Sequence, residues 1–116
     1  MENTEIFRVV DGDLYINEVR LSLTRPVDKA LILSNKIIFQ YVVDGETFDN
    51  RNIGAFDKEG NLLWLIEESC PKETFNEYYK MYVSDSGELI ARIWAGQEFV
   101  IDLDSGKRLK PYRFVK

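Results

Sequence analysis

Twenty carboxylates and no histidine set the limits of what chemistry this 116-residue chain can perform. Without an imidazole there is no Ser-His-Asp or Cys-His machinery and no His-based metal site, so acid–base work near neutral pH would fall to shifted Asp, Glu, Lys or Tyr side chains. One thiol exists, Cys70. Placed just before Pro71 at an expected helix start, it has a geometry that can stabilise a thiolate, although a small half-buried thiol is the commoner use of such a residue. The carboxylates fall into close pairs: Asp11 with Asp13, Glu67 with Glu68, and Asp102 with Asp104. Glycoside hydrolysis needs two carboxylates about 5 to 9.5 Å apart. Neighbours on a strand point to opposite faces, which separates Glu67 from Glu68. Asp11 and Asp13 flank a turn glycine, and Asp104 reads as the residue that opens the last turn. The segment from Asp44 to Asn52 is rich in oxygen ligands but lacks the spacing of a calcium loop. The expectation is a non-enzyme with no metal and no cofactor.

Aromatic residues point elsewhere. Phe75, Tyr78, Tyr79 and Tyr82 crowd one short region, with Glu73 and Glu77 beside them and Trp64 and Trp94 on flanking strands. Tyr and Trp dominate small β cores and are also the residues richest in binding energy at protein interfaces. Read functionally, Glu73, Phe75, Glu77, Tyr78, Tyr79 and Tyr82 form a partner face of aromatic anchors in an acidic surround, suited to a basic protein.

Charge supports that choice of partner. The net charge is −5. Up to Asp104 there are 10 basic against 20 acidic residues, whereas the last twelve residues carry Lys107, Arg108, Lys110, Arg113 and Lys116 and no acid. An acidic body repels phosphates at long range, so nucleic acid is not the expected partner. The basic end suits an edge strand protected from aggregation, or a docking site for an acidic group. The lone cysteine excludes an internal disulfide and fits a reducing compartment. The first residues have neither the basic region nor the apolar run of a secretory signal, and no segment has the ~20 apolar residues of a membrane span, so a cytoplasmic, membrane-free protein is expected.

The elements that must position these groups are mostly strands. Period-2 patterning rich in β-branched and aromatic residues runs through the chain. It predicts strands at Ile6 to Val10, Leu14 to Ile16, Glu18 to Leu23, Ala30 to Leu33, Ile37 to Val43, Ile53 to Phe56, Leu62 to Ile66, Met81 to Val83, Leu89 to Trp94 and Phe99 to Leu103, with a basic strand at the end. Pro26 stops the third of these. Three Asp/Gly turns, around Asp57-Gly60, Asp85-Gly87 and Asp104-Gly106, predict hairpins that each return an aliphatic residue, Leu63, Ile90 or Leu109, at a matching point. One segment breaks the pattern: Ser69 or Cys70 as a cap, Pro71 and early acids predict a short helical insertion over 71–79. The expected class is all-β and mainly antiparallel, a single domain over 1–116: a meander of about 8–10 strands, folded as a sandwich or as a partly open barrel or propeller-like sheet.

The run Ile53-Gly54-Ala55-Phe56-Asp57-Lys58-Glu59-Gly60-Asn61-Leu62-Leu63-Trp64 resembles the repeat of pyrroloquinoline-quinone-type β-propellers, at Ala55, Asp57, Gly60, Leu63 and Trp64. Val100 to Leu109 resembles it again, with Lys110 where the tryptophan would stand. The resemblance implies blade-like meanders and touches scaffold positions only, so the quinone does not carry over. Propellers close with about 4–8 four-stranded blades, more than this chain supplies. In size, acidity and composition the chain also resembles bacterial immunity proteins that neutralise toxic nucleases. That resemblance implies a non-catalytic protein-binding module. The alternatives are a small-ligand or carbohydrate-binding module or weak carboxylate hydrolase, and a structural meander that completes an oligomer through its edges.

Overall fold

The computed structural model describes residues 6–43, 50–69, 77–94 and 96–114. Eleven strands are found there: β1 (Phe7–Val10), β2 (Asp13–Ile16), β3 (Val19–Arg20), β4 (Val27–Leu33), β5 (Lys36–Tyr41), β6 (Ile53–Phe56), β7 (Leu62–Leu65), β8 (Tyr78–Val83), β9 (Leu89–Ile93), β10 (Gln97–Ile101) and β11 (Arg108–Phe114). They form three antiparallel meanders in chain order: sheet A is β1-β2-β3, sheet B is β4-β5-β6-β7, and sheet C is β8-β9-β10-β11. No sheet closes into a barrel. The sheets stack face to face, as a sandwich with one layer more than two.

Sheet B is the middle layer, and its sequence shows why. In β5, Ile37, Phe39 and Tyr41 enter one core with Leu14 and Ile16 of sheet A. Ile38, between them, enters the other core with Met81, Ala91 and Phe99 of sheet C. A strand buried on both faces reads as a continuous apolar run, as do Ile37-Ile38-Phe39 of β5 and all of β6. Aromatic rings fill the A/B layer, with Phe39 edge-on to Tyr41 at 5.2 Å and stacked on Phe56 at 5.3 Å.

Polar groups bind the layers at selected points. The Asn52 side chain receives the peptide of Tyr78 like a strand partner: its Nδ2 donates to the Tyr78 carbonyl at 2.7 Å and its Oδ1 accepts from the Tyr78 N–H at 3.1 Å. Gln40 Nε2 donates to the same carbonyl. All three residues are buried, so these bonds satisfy groups that water cannot reach. Arg25, on the linker between β3 and β4, donates to buried Glu77 at 3.0 Å. Trp64 crosses from β7 to the last hairpin: its Nε1 donates to the Leu103 carbonyl at 2.8 Å, and its ring lies against Gly106, φ +78°. A Cβ there would stand 2.6 Å from the ring, so only glycine fits beneath the indole.

The turns depart from expectation in detail. Asp57 Oδ1 accepts from the N–H groups of Glu59 and Asn61, as an Asx turn should. In the second turn Ser84, not Asp85, takes that place, its Oγ accepting from Glu88 N–H. In the third, one residue longer, it is Asp102 and not Asp104, whose own N–H donates to the Asp102 carboxylate. The matching aliphatics do not match in burial: Ile90 is buried, whereas Leu63 and Leu109 are both 44% exposed. Two-residue turns with both φ positive occur at Asp11-Gly12, Asn17-Glu18 and Ser34-Asn35. Glu18 therefore turns instead of opening a strand, and β3 is two residues long. Leu21 and Leu23 turn inward beyond its end, and the Leu21 N–H still donates to the Leu14 carbonyl at 2.9 Å.

No helix occurs among the described residues. Positions 71–76 of the expected helical insertion, and Cys70 before it, lie outside them. Tyr78 and Tyr79, its last two residues, belong to β8, because their backbone joins Asn52 and the β9 ladder.

Candidate functional site

Sheet C has one face in the core and one turned away from it; this open face exposes Lys80 and Trp94, leaves Tyr79, Tyr82 and Arg92 half-buried, and buries Ile90 and Glu98. The alternation of β8, β9 and β10 sends Tyr78, Met81, Ala91, Ile93, Phe99 and Ile101 inward. Across the open face the register aligns Tyr82, Ile90 and Val100 in one row and Lys80, Arg92 and Glu98 in the next. A bulge between Tyr78 and Lys80 turns Tyr79 toward the same face.

Arg92 is the centre of this surface. Its Nη1 donates to the Tyr79 hydroxyl at 3.1 Å and its Nη2 to Glu98 Oε2 at 3.1 Å. Tyr82 donates its hydroxyl to the same Glu98 oxygen at 2.6 Å. The bond to Tyr79, then that to Glu98, pushes the Arg92 pKa above its ordinary value. Trp94, 54% exposed, stacks on Tyr79 with centroids 4.6 Å apart and planes 16° from parallel. Lys80 sits over the Tyr82 ring at 5.5 Å. The aromatic rings are thus held in place before any partner arrives, which lowers the entropy cost of binding.

The structure divides the six residues of the expected partner face. Tyr79 and Tyr82 lie on the open face of sheet C and meet there through Arg92 and Glu98. Tyr78 does not: it is a core residue whose hydroxyl donates to the Glu67 carbonyl at 2.8 Å. Glu77 is fully buried against Arg25 and contributes no acidic surface. Glu73 and Phe75 lie outside the described residues. Trp94, Arg92 and Glu98 were missed as members, and the signal that could have found them is the strand register. Once β8 and β9 pair antiparallel, Arg92 falls beside Lys80 and within reach of Tyr79.

At least one carboxylate of each pair is engaged in structure. Glu67 accepts from the Arg108 backbone N–H at 2.9 Å, Asp13 faces Arg20 at 3.3 Å, and Asp104 faces Lys36 at 3.5 Å. Among the described residues no three His, Cys, Asp or Glu side chains come together as metal ligands. Cys70 and most of the Asp44 to Asn52 loop lie outside those residues, while Asn50 and Asn52 themselves are buried. A cavity of about 370 Å³ between sheets A and B is lined by Leu23, Phe39, Tyr41, Phe56 and Leu65. Its cation, Arg51, donates to the carbonyls of Ile66 and Leu65. No described helix is long and apolar enough to cross a membrane.

No curated protein matches this sequence. Residues 5–112 match the model described as a domain of unknown function, DUF7957, and the chain belongs to that family.

Proposed function

We propose that this protein is a non-catalytic protein-binding module whose partner docks on the open face of sheet C. One observation carries the reading: an exposed tryptophan stacked on a tyrosine that is fixed by an Arg–Glu–Tyr network, on the face of sheet C turned away from the core. Trp, Tyr and Arg are the residues that most often supply interface hot spots. A basic partner is favoured by long-range attraction. Hairpin geometry gathers the turns at 57–61, 84–88 and 102–107 at one end of sheets B and C, where Glu59, Asp85, Glu88 and Asp104 are exposed. Such charge raises association rates for a partner of opposite sign. Neutralisation of a basic toxin by an immunity-type protein is the narrower form of this proposal, and a cytoplasmic setting goes with it.

The test is capture from the native host at low salt, using wild type beside Trp94→Ala and Arg92→Ala variants shown to be folded. A stoichiometric basic protein retained by wild type and lost by both variants supports the reading. Equal capture by all three chains, or none by wild type, removes this face as the binding site.

A further inference from the structure

Among the described residues sheets B and C have four strands each, and sheet A has three. Strand direction identifies the one that is missing. The turns at 17–18 and 57–61 lie together, since Asn17 Nδ2 donates to the Lys58 carbonyl at 2.7 Å. The pairs β2-β3 and β6-β7 therefore correspond, β1 corresponds to β5, and among the described residues, which begin at Ile6, sheet A shows no counterpart of β4 and β8, its first strand.

The vacancy has physical marks on both sides. Toward sheet C, β4 is covered: Leu31 and Leu33 pack into the core that holds Met81 of β8, and Lys29 Nζ donates to the Met81 carbonyl at 2.7 Å. Toward sheet A, the same strand leaves Ile32 45% exposed. There an open groove of about 650 Å³ runs between β1 and β4, lined by Ile6, Phe7, Val9, Asp28, Ala30 and Ile32. That is far larger than the ~30 Å³ share of one water.

The edge of β1 supplies the backbone groups a strand would need. Val10 and Asp13 close a two-residue hairpin and so exchange hydrogen bonds, and the series continues through Arg8 with Tyr15 to the Asn17 N–H on the Ile6 carbonyl. Phe7 and Val9 alternate with these, so their N–H and C=O groups point away from β2, and no described backbone bond takes them up.

We propose that the groove beside β1 is a β-augmentation site: an extended segment of a partner protein adds antiparallel to β1 as the fourth strand of sheet A. Residues opposite Phe7 and Val9 would share their inward direction and cover Ala30 and Ile32, so they should be apolar. The residue between them would lie outward beside Arg8, whose guanidinium already holds Glu18 at 3.0 Å, so an acid there would share that cation with Glu18. A second copy of this chain fits less well, because the register that uses the outward groups of both Phe7 and Val9 sets Arg8 against Arg8 of the other copy at close cross-strand distance. This site is independent of the open face of sheet C.

The test is selection from a displayed library of random ten-residue linear peptides on wild-type protein. Val9→Pro removes an outward N–H and blocks the edge, a place where strands tolerate proline. Ile32→Lys puts a charge in the groove floor at a position already exposed, and leaves β1 intact. The expected result is enriched peptides with an apolar-acid-apolar core that lose at least tenfold in affinity in both variants. The same peptides should slow amide hydrogen exchange at Phe7 and Val9 at least tenfold, beyond any change at Arg8. No enrichment, unchanged binding in both variants, or slow exchange at both amides without peptide would overturn the proposal. So would a wild-type dimer that Val9→Pro disperses, since it gives the edge to a second copy.

Discussion

Gly106 and Trp64 should behave as one energetic unit, and the structure gives the size of the coupling. In Gly106→Ala the new Cβ would stand 2.6 and 2.8 Å from two atoms of the indole and 3.0 Å from the Leu65 carbonyl oxygen, at φ +78°. Left-handed backbone costs an alanine about 1–2 kcal/mol relative to glycine. Forcing the indole aside adds about 1–3 kcal/mol of overpacking. The movement also strains the bond from Trp64 Nε1 to the Leu103 carbonyl, worth about 1 kcal/mol. The sum, about 3–6 kcal/mol, is a large part of the ~5–15 kcal/mol that holds a domain folded.

Trp64→Val separates these contributions. It keeps a β-branched residue in β7 and removes every ring atom that the new Cβ would meet, at a cost of about 3–5 kcal/mol for the emptied site. In that background Gly106→Ala should cost only its backbone share and the contact with Leu65, so the double variant should be about 1–3 kcal/mol more stable than the sum of the single changes predicts. Urea unfolding followed by far-UV circular dichroism measures all four corners of the cycle. Trp64 is buried and Trp94 exposed, so wild-type fluorescence should be a composite whose blue component vanishes in Trp64→Val. Strict additivity would refute the account, because the steric conflict would then lie elsewhere than at the indole.

Further outcomes follow from the same geometry. Asn52→Leu removes the acceptor of the Tyr78 N–H between sheets B and C, while Gln40 still donates to the Tyr78 carbonyl, and should cost about 1–3 kcal/mol, read by the same unfolding curves. Glu77→Gln leaves Arg25 facing a neutral group at a buried site and should cost about 3–5 kcal/mol, whereas Trp94→Ala on the open face should stay within about 0.5 kcal/mol of wild type. Glu18, φ +67°, occupies the second position of a two-residue turn. Glu18→Gly should therefore gain about 0.5–1 kcal/mol after loss of the exposed pair with Arg8, and a lower urea midpoint would contradict that. The Asn61 backbone N–H, followed by its side chain, holds the Asp57 carboxyl below its ordinary value of 3.8. A depressed carboxyl stabilises the fold at pH values above 3.8 and stops doing so as pH falls through the lowered pKa. The stability gap between wild type and Asp57→Ala should be flat from neutral pH down to that region and shrink below it; a gap that widens on acidification would reverse the sign argued here.

How much of this was legible in the sequence depends on the range of the interaction. The Asp57 turn and the hairpin at Asp11-Gly12 were readable because an Asx bond and a positive φ are decided within a few residues. Glu18 misled because the alternation from Val19 to Leu23 does not mark where a strand begins: Glu18 takes a positive-φ turn position and Val19 is exposed, while Leu21 and Leu23 beyond β3 pack inward. The stretch before Tyr78 carries the local marks of a helix start. Its last two residues are strand because Asn52, 26 positions away, hydrogen-bonds the Tyr78 peptide. Local preference gave way there to a buried polar group that had to be satisfied.

The candidate face shows the same division from the other side. Tyr78 and Tyr79 are adjacent in sequence and both aromatic, and composition cannot tell them apart. The alternation of a strand sends Tyr78 into the core and the bulge turns Tyr79 onto the open face, where Arg92 and Trp94 of the neighbouring strand and its end receive it. A binding surface on a sheet is a two-dimensional pattern written across strands, and one strand carries only every second character of one row. What the linear sequence concealed was therefore the neighbours of Tyr79, which the antiparallel register of β8, β9 and β10 brings to it.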